Sequence, residues 1–502
     1  LEVGQGFVAL VGAGPGELGL LTLKAKECIE KADVVVYDRL VSSEILDLIP
    51  SGAKKIDAGK DAGNHKITQE NINQILLTEA QKGNFVVRLK GGDPFLFGRG
   101  AEELELLAES NIPFEVVPGV TSALSVPAYA GIPVTHRDFS SSVHIITGHR
   151  KKDEKLKINY KALSQLEGTL VFLMGVANLK EIMDGLIEAN MDSLTPVAVI
   201  ENGTYPNQRT VVGTIENIYE KATRCNIKPP AVIVVGKVCN LSVKYDWFRK
   251  RPLFGKKIIV TRPKISGNTL CTKLRNLGAE VYEYPCIEIE EIFDNELLKN
   301  EIDHISDYSW LVFTSKNGVK IFFDFIKREA KDFRILSGIK IAAIGSQTAQ
   351  ALKDNGIISD FVPDIFDGEH LAKGIAERVG NGDKVLLLRA MKGTEEIPKI
   401  LEGRGIFYKD IPLYDTLLKN ENAKYFENLI NHNEIDFVTF TSSSTVEGFV
   451  KSMPKADLSK ITGICIGNKT AQTAKHYGIK HVISQQATID SMIAKILEVC
   501  NE

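Results

Sequence analysis

Short apolar runs rich in Val and Ile alternate with segments of helical periodicity along the chain: FVALVGAG (7–14), LLTLKAKECIEKA (20–32), DVVVYD (33–38). Continuous apolar strands bounded by Gly or Pro are what a sheet covered on both faces requires. The pattern predicts an α/β fold with mainly parallel strands. It breaks at LSVKYDWFRKRPLFGK (241–256), where the strand-like AVIVVGKV (231–238) ends and KKIIVTR (256–262) begins a new strand. The expected domains are therefore residues 1–244 and 255–502, joined by a linker at 245–254. Each is long enough for two lobes.

The second domain repeats itself. LVFTSKNG (311–318) is echoed by FVTFTSSS (437–444), and IAAIGSQTAQALKDNGI (341–357) by GICIGNKTAQTAKHYGI (463–479). Strand, Thr-Ser, helix, strand, Gly-x-x-Thr-Ala and helix follow in the same order each time, which predicts two similar lobes. YEYPCIEIEE (282–291) and KDIPLYDTL (409–417) read as extended connectors between them.

Composition narrows the function. Lys plus Arg number 61 and Asp plus Glu 64 in 502 residues, a formal charge of −3. That balance offers no field for coating a nucleic acid. No apolar run approaches the ~20 residues of a membrane span. The amino end lacks a basic stretch and a cleavage site and does not read as a signal peptide. It also lacks an initiator Met, which leaves the native start open. Seven cysteines without a C-x-x-C pair suit reduced thiols in a cytoplasmic protein. The nine histidines show no metal-binding spacing, so no metal is expected.

In an open α/β sheet the ligand crevice lies beyond the carboxyl ends of the strands. Thr314-Ser315 and Thr441-Ser442 fall at such ends, before helices whose free N–H groups and dipoles attract anions. They read either as anion-binding groups or as plain N-caps. In the first domain, RLKGGDPFLFGRGAEE (88–103) places Gly91 and Gly92 after a strand, where a ligand can approach the backbone. Asp93 adds a carboxylate fit for a ribose hydroxyl or an ammonium group. VGAGPGELGLLT (11–22) has Glu17 where a dinucleotide fingerprint needs glycine.

These motifs carry two resemblances. GAGPGELGLLTLKA, VYDRLV, GGDPFLFGRG, PGVTSA (118–123), GIPVTHRD (131–138) and ENGT (201–204) closely resemble uroporphyrinogen-III C-methyltransferases over residues 5–244. KKIIVTRP, the doubled Thr-Ser and G-x-x-T-A motifs and IPLYDT (411–416) resemble uroporphyrinogen-III synthases over 253–502.

The first resemblance implies a two-lobed tetrapyrrole methylase, with lobes at about 1–120 and 121–244, that pairs as a homodimer and holds S-adenosylmethionine. Its implied cofactor contacts are Pro15, Gly91, Gly92, Asp93, Leu96, Thr121, Ser122, Met174 and Gly203. Asp38 matches the family's proton acceptor and Lys60 its proton donor. Read as residues alone, Asp38 also suits a turn, Lys60 a solvated surface and Met174 a core.

The second resemblance implies a two-lobed synthase without a cofactor, lobe one being 255–286 plus 415–502 and lobe two 287–414. Tyr414 falls on the family's connector tyrosine, either an acid for the departing bilane hydroxyl or an aromatic packed at the hinge. Substrate contacts would come from Arg262, Ser315, Asn317, Gly345, Thr348, Thr441, Ser442, Ser443, Gly467 and Thr470. Arg262 reads equally as a surface salt-bridge residue.

Together the halves would cyclise hydroxymethylbilane to uroporphyrinogen III and methylate it twice to precorrin-2, on the way to sirohaem or cobalamin. The alternatives are a methyltransferase with a noncatalytic tetrapyrrole-binding second half, or a tetrapyrrole-binding sensor.

Overall fold

The computed structural model describes residues 6–59, 68–149, 158–262, 269–393, 395–419 and 422–501. The chain forms two compact units, residues 1–256 with 273–280 and residues 257–272 with 281–502. Among the described residues no helix is long and apolar enough to cross a membrane.

The first unit opens with β1 (Phe7–Gly12), β2 (Val34–Tyr37), β3 (Lys54–Asp57), β4 (Phe85–Lys90) and β5 (Phe114–Val117). They form one parallel sheet in the order β3-β2-β4-β1-β5. Alternate residues serve opposite faces. Ala9, Val11, Val35, Val87 and Leu89 pack with Ala25 and Ile29 on one side. Val8, Leu10, Val34, Val36 and Val86 pack with Leu76 and Leu104 on the other. Two of the covering helices, Leu23–Lys31 and Gln69–Gln81, start where a hydroxyl satisfies a free N–H: Thr22 accepts from Ala25 and Thr68 from Asn71.

The second sheet contains β6 (Val143–Thr147), β7 (Thr169–Leu173), β8 (Pro196–Glu201), β9 (Arg209–Thr214) and β10 (Ala231–Val235), in the order β6-β7-β10-β8-β9. Only β6–β7 is parallel; the other three pairings are antiparallel. This sheet departs from the mainly parallel expectation, and one of its three antiparallel pairings has a local reason. The connection between β8 and β9 is too short for a crossover, so those strands pair as a hairpin. Residues 245–254, read from the sequence as a linker, carry aromatic side chains that pack on this unit. Trp247 Nε1 donates to Ala128 O at 3.0 Å, and Phe248, 1% exposed, lies 4.8 Å from the Tyr129 ring.

The second unit contains two five-stranded sheets. One joins β11 (Lys257–Val260) and β12 (Glu280–Glu283) to three strands made late in the chain, β18 (Phe437–Phe440), β19 (Thr462–Cys465) and β20 (Lys480–Ile483), in the order β12-β11-β18-β19-β20. The other contains β13 (Ile287–Glu291), β14 (Trp310–Phe313), β15 (Lys340–Ala343), β16 (Lys384–Ala390) and β17 (Phe407–Leu418), in the order β13-β17-β16-β14-β15.

The sequence repeat is visible as geometry, since β14 with β15 and β18 with β19 occupy equivalent parallel positions. Strand β17 runs parallel to β16 and then antiparallel to β13, so the two stretches read as extended connectors meet as a pair of strands.

Five of the seven cysteines are buried and all are free thiols. Burial pushes the Cys286 and Cys465 thiols up to about 12, which makes them packing groups at neutral pH.

Candidate active sites

In the first unit, three loops leave the carboxyl ends of β1, β4 and β5 and meet backbone to backbone. Gly14 and Gly92 exchange hydrogen bonds, Gly92 N–H to Gly14 O at 2.7 Å and Gly14 N–H to Gly92 O at 3.2 Å. A Cβ on Gly12 would lie 2.5 Å from Gly119 N, and one on Gly119 would lie 2.1 Å from Gly92 O. No side chain fits among them. Gly92 itself has φ +69, with open space where a Cβ would project. Asp93 ties the loops together. Its Oδ1 accepts from the N–H groups of Phe95 (2.9 Å) and Leu96 (3.1 Å), and its Oδ2 from that of Gly119 (3.1 Å). Its carboxylate therefore organises the backbone where these loops meet.

The second lobe completes this site. Thr204, forced to φ +72, donates from Oγ1 to Pro15 O at 3.3 Å. A Cβ on Gly203 would strike Val126 at 2.3 Å. Thr121 caps the helix Ser122–Tyr129 by accepting from Ala123 N–H, which leaves Ser122 in its first turn. Met174 follows β7 at φ +56 with its side chain half exposed. Leu96 is partly buried against the second-lobe core. Glycine-exposed backbone, a few hydroxyls and soft apolar groups suit a ligand that combines a nucleoside, an amino acid and a sulfonium. The residues present thus fit S-adenosylmethionine.

Asp38 directly follows β2, its N–H donating to Leu89 O of β4 at 3.2 Å. Arg88 donates to its Oδ1 at 2.6 Å, and Lys90 Nζ stands 3.9 Å from its Oδ2. Sequence reasoning passed over Arg88, Lys90 and their partner Glu103. The signal was present, because FVVRLK sets two cations two residues apart in an otherwise apolar strand. Lys60 lies outside the described residues.

In the second unit, Ser315 caps the helix Lys316–Arg328, its Oγ accepting from Gly318 N–H at 3.0 Å. The same Oγ lies 2.8 Å from Tyr414 Oη. A register shift aims the tyrosine. Arg389 pairs with Pro412 but Ala390 with Tyr414, so Leu413 is the extra residue. Leu413 and Tyr414 consequently both reach the same core. Burial pushes the Tyr414 hydroxyl up and the Ser315 contact pulls it back only in part. Tyr414 therefore keeps its proton at neutral pH.

Arg262, after β11, and Lys316, after β14, bring like charges together from the two sheets of this unit. Burial lowers both side chains from their ordinary values, and for Lys316 the positive charge of Arg262 lowers it further. Asn317 shares the helix turn with Lys316.

The second copy of the motif is built in parallel. Ser442 caps Ser443–Ser452 in a reciprocal arrangement with Thr445, and Thr441 precedes it half-buried. Ser443 Oγ donates to Lys469 O. Gly345 and Gly467 each precede a helix in extended backbone (φ −174 and −173). Thr348 and Thr470 are buried one turn inside those helices, 4% and 5% exposed, rather than open at the sheet ends.

Known proteins match this division. Residues 8–219 match the family model for tetrapyrrole (corrin/porphyrin) methylases, and residues 268–494 that for uroporphyrinogen-III synthase HemD. The porphyrin biosynthesis protein HemD of Ruminiclostridium josui is 55% identical over 99% of this chain and 98% of its own. The uroporphyrinogen-III C-methyltransferase of Bacillus subtilis is 40% identical over 70% of this chain and 72% of its own. Among solved structures, the uroporphyrin-III C-methyltransferase of Thermus thermophilus complexed with S-adenosyl homocysteine is 38% identical, with a TM-score of 0.42 over 47% of this chain and all of that one. The chain belongs to the porphyrin-biosynthesis family in which a tetrapyrrole methylase is followed by a uroporphyrinogen-III synthase.

Proposed function

We propose that the second unit closes hydroxymethylbilane to uroporphyrinogen III with inversion of its last ring, and that the first unit methylates this product twice, giving precorrin-2 for sirohaem or cobalamin assembly. The observation that carries the synthase reading is the pairing of Tyr414 with Ser315 at a sheet end flanked by Arg262 and Lys316. Neither cation has an ion pair among the described residues. Two half-buried cations, one lowered by the charge of the other, ask for an anion, and a bilane carries carboxylates.

Tyr414 donates its proton to the bilane hydroxyl as the carbon–oxygen bond breaks, so that water rather than hydroxide leaves. Ser315 holds the phenol, and the Gly318 N–H fixes Ser315. The unit otherwise acts by positioning, because the activated pyrrole is reactive once the hydroxyl has gone. No cofactor is required for this.

In the first unit Pro15, Gly91, Gly92, Asp93, Leu96, Thr121, Ser122, Met174 and Gly203 hold S-adenosylmethionine, which supplies an electrophilic methyl group with its own leaving group. Asp38 accepts the proton that the macrocycle loses on methylation. Arg88 fixes the carboxylate orientation for that task. The half-exposed Phe95 and Leu124 of this unit support the reading that it pairs with a second copy. Having both activities in one chain raises the local concentration of the intermediate near its second enzyme.

Incubation of the purified chain with hydroxymethylbilane, followed by isomer analysis and mass spectrometry, tests the proposal. Uroporphyrinogen III is expected without the methyl donor and a dimethylated product with it. A type I ring alone, the product of spontaneous closure, would remove the synthase assignment.

A further inference from the structure

Strand β4 buries two cations on the face that also holds Val86, Val8 and Leu10. Arg88 is 1% exposed, Lys90 4% and Glu103 fully enclosed. Glu103 receives Arg88 Nε at 3.1 and 3.2 Å, Lys90 Nζ at 2.7 Å and Gln69 Nε2 at 3.1 Å. Arg88 reaches on to Asp38, and its other nitrogen donates to the carbonyls of Val36 and Leu89. The four charges cancel: Arg88 and Lys90 against Glu103 and Asp38. Asp38 alone of the four has a substantially exposed side chain, at 32%. A buried cluster tolerates an unmatched charge poorly, so any proton taken up by Asp38 is felt by the other three.

We propose that Lys90 and Glu103 are positioning residues that tune, with opposite sign, how readily Asp38 takes up a proton, with Arg88 as the link between them. Removing Glu103 leaves Asp38 facing two cations and favours its carboxylate form. Removing Lys90 leaves two carboxylates sharing one cation and favours protonation. Burial, with Arg88 alongside, already lowers the Lys90 ammonium against the pull of Glu103 and Asp38. The other charged groups at this strand end are Arg39, next in the chain, and Asp57, which ends β3 and accepts from Gly59 N–H. Neither is altered in the variants that test the coupling.

The inference rests on the reading of Asp38 as proton acceptor only in its kinetic readout, so two measurements are made on the full chain. One is the titration of the 13C-labelled Asp38 carboxyl resonance, assigned by its loss in Asp38→Asn. The other is the acid limb of the pH–rate profile for methyl transfer. Glu103→Gln is expected to move both midpoints down by about one pH unit and Lys90→Met to move both up by about as much. The double variant, neutral again as Arg88 with Asp38, is expected to return to the parent midpoint. A purely structural role would lower the melting temperature without these opposed shifts.

Shifts of the same sign, no shift, or a double variant that fails to return would overturn the proposal. If the resonance moves as expected while the rate profile stays fixed, the coupling stands and the proton-acceptor reading of Asp38 falls. Should Glu103→Gln not fold, Lys90→Met and the double variant still decide between these outcomes.

Discussion

The two candidate sites lie at the carboxyl ends of strands but are made of different material. The first is assembled from main chain: glycines 12, 92 and 119 meet with no room for a Cβ on the outer two, and Asp93 spends its oxygens on N–H groups. Its charges are matched and largely sealed beneath the surface. The second is assembled from side chains, with hydroxyl caps on helix ends and two half-buried cations, one of which feels the charge of the other. The difference suits the tasks assigned to them. A site for one small cofactor gains from a rigid mould, whereas a site for a large flexible polyanion needs charge and hydroxyls that can adapt.

The largest expected effects separate the two sites completely. Asp38→Asn is expected to cut methyl transfer by roughly 10²–10⁴-fold, the usual contribution of a positioned acid or base, while ring closure proceeds. Tyr414→Phe is expected to do the reverse. Parallel assays for isomer type and for methyl incorporation read both, and loss of both activities in either variant would erase the distinction.

Next comes the main-chain mould. Gly119→Ala is expected to destabilise the first unit by at least about 1–3 kcal/mol and to abolish cofactor binding, measured by calorimetry. At the hydroxyl-lined site Gly467 is under no such constraint, since a Cβ added there would meet nothing within 4 Å; Gly467→Ala should be mild by the same measure.

A smaller effect is expected for Lys316→Gln, about a tenfold rise in KM for the bilane with little change in kcat, because charge-assisted contacts are worth roughly 1.5–3 kcal/mol. The rise should shrink in high salt.

The smallest concerns acid stability. Burial would raise the Glu103 carboxyl, but Arg88 and Lys90 outweigh burial and hold it below the ordinary range. Its stabilisation is thus complete above the ordinary value of about 4.3 and is lost as the pH falls through the depressed one. Glu103→Gln should flatten the acid-unfolding curve below about pH 4.

Much of this was legible in the sequence where one residue type did one job. Val-rich runs such as VVVY and AVIVV became sandwiched strands, and the doubled Thr-Ser motif became two equivalent helix starts. The antiparallel half of the first unit was not legible, because a buried β8 reads like a parallel strand until its hairpin partner is known. Nor was the meeting of Arg262 with Lys316, which the fold brings together from separate sheets. Thr348 and Thr470 share the motif's spacing yet turn inward, because a residue three beyond the glycine lies on the core side of its helix. The extra residue at Leu413 that brings Tyr414 round depends on pairing with β16 and leaves no mark in local composition.

Strand β11 finds its neighbour β18 only after a complete sheet has been made between them, Ile258 pairing with Phe437. A ribosome therefore delivers an edge that must wait, while β13 to β17 already have all their partners. Closing so long a loop carries an entropic cost that the intervening folded lobe reduces by drawing the ends together. Chains released early, before β18 emerges, would carry a finished inner lobe and an outer β11–β12 pair whose open β11 edge is ready to pair with a stranger.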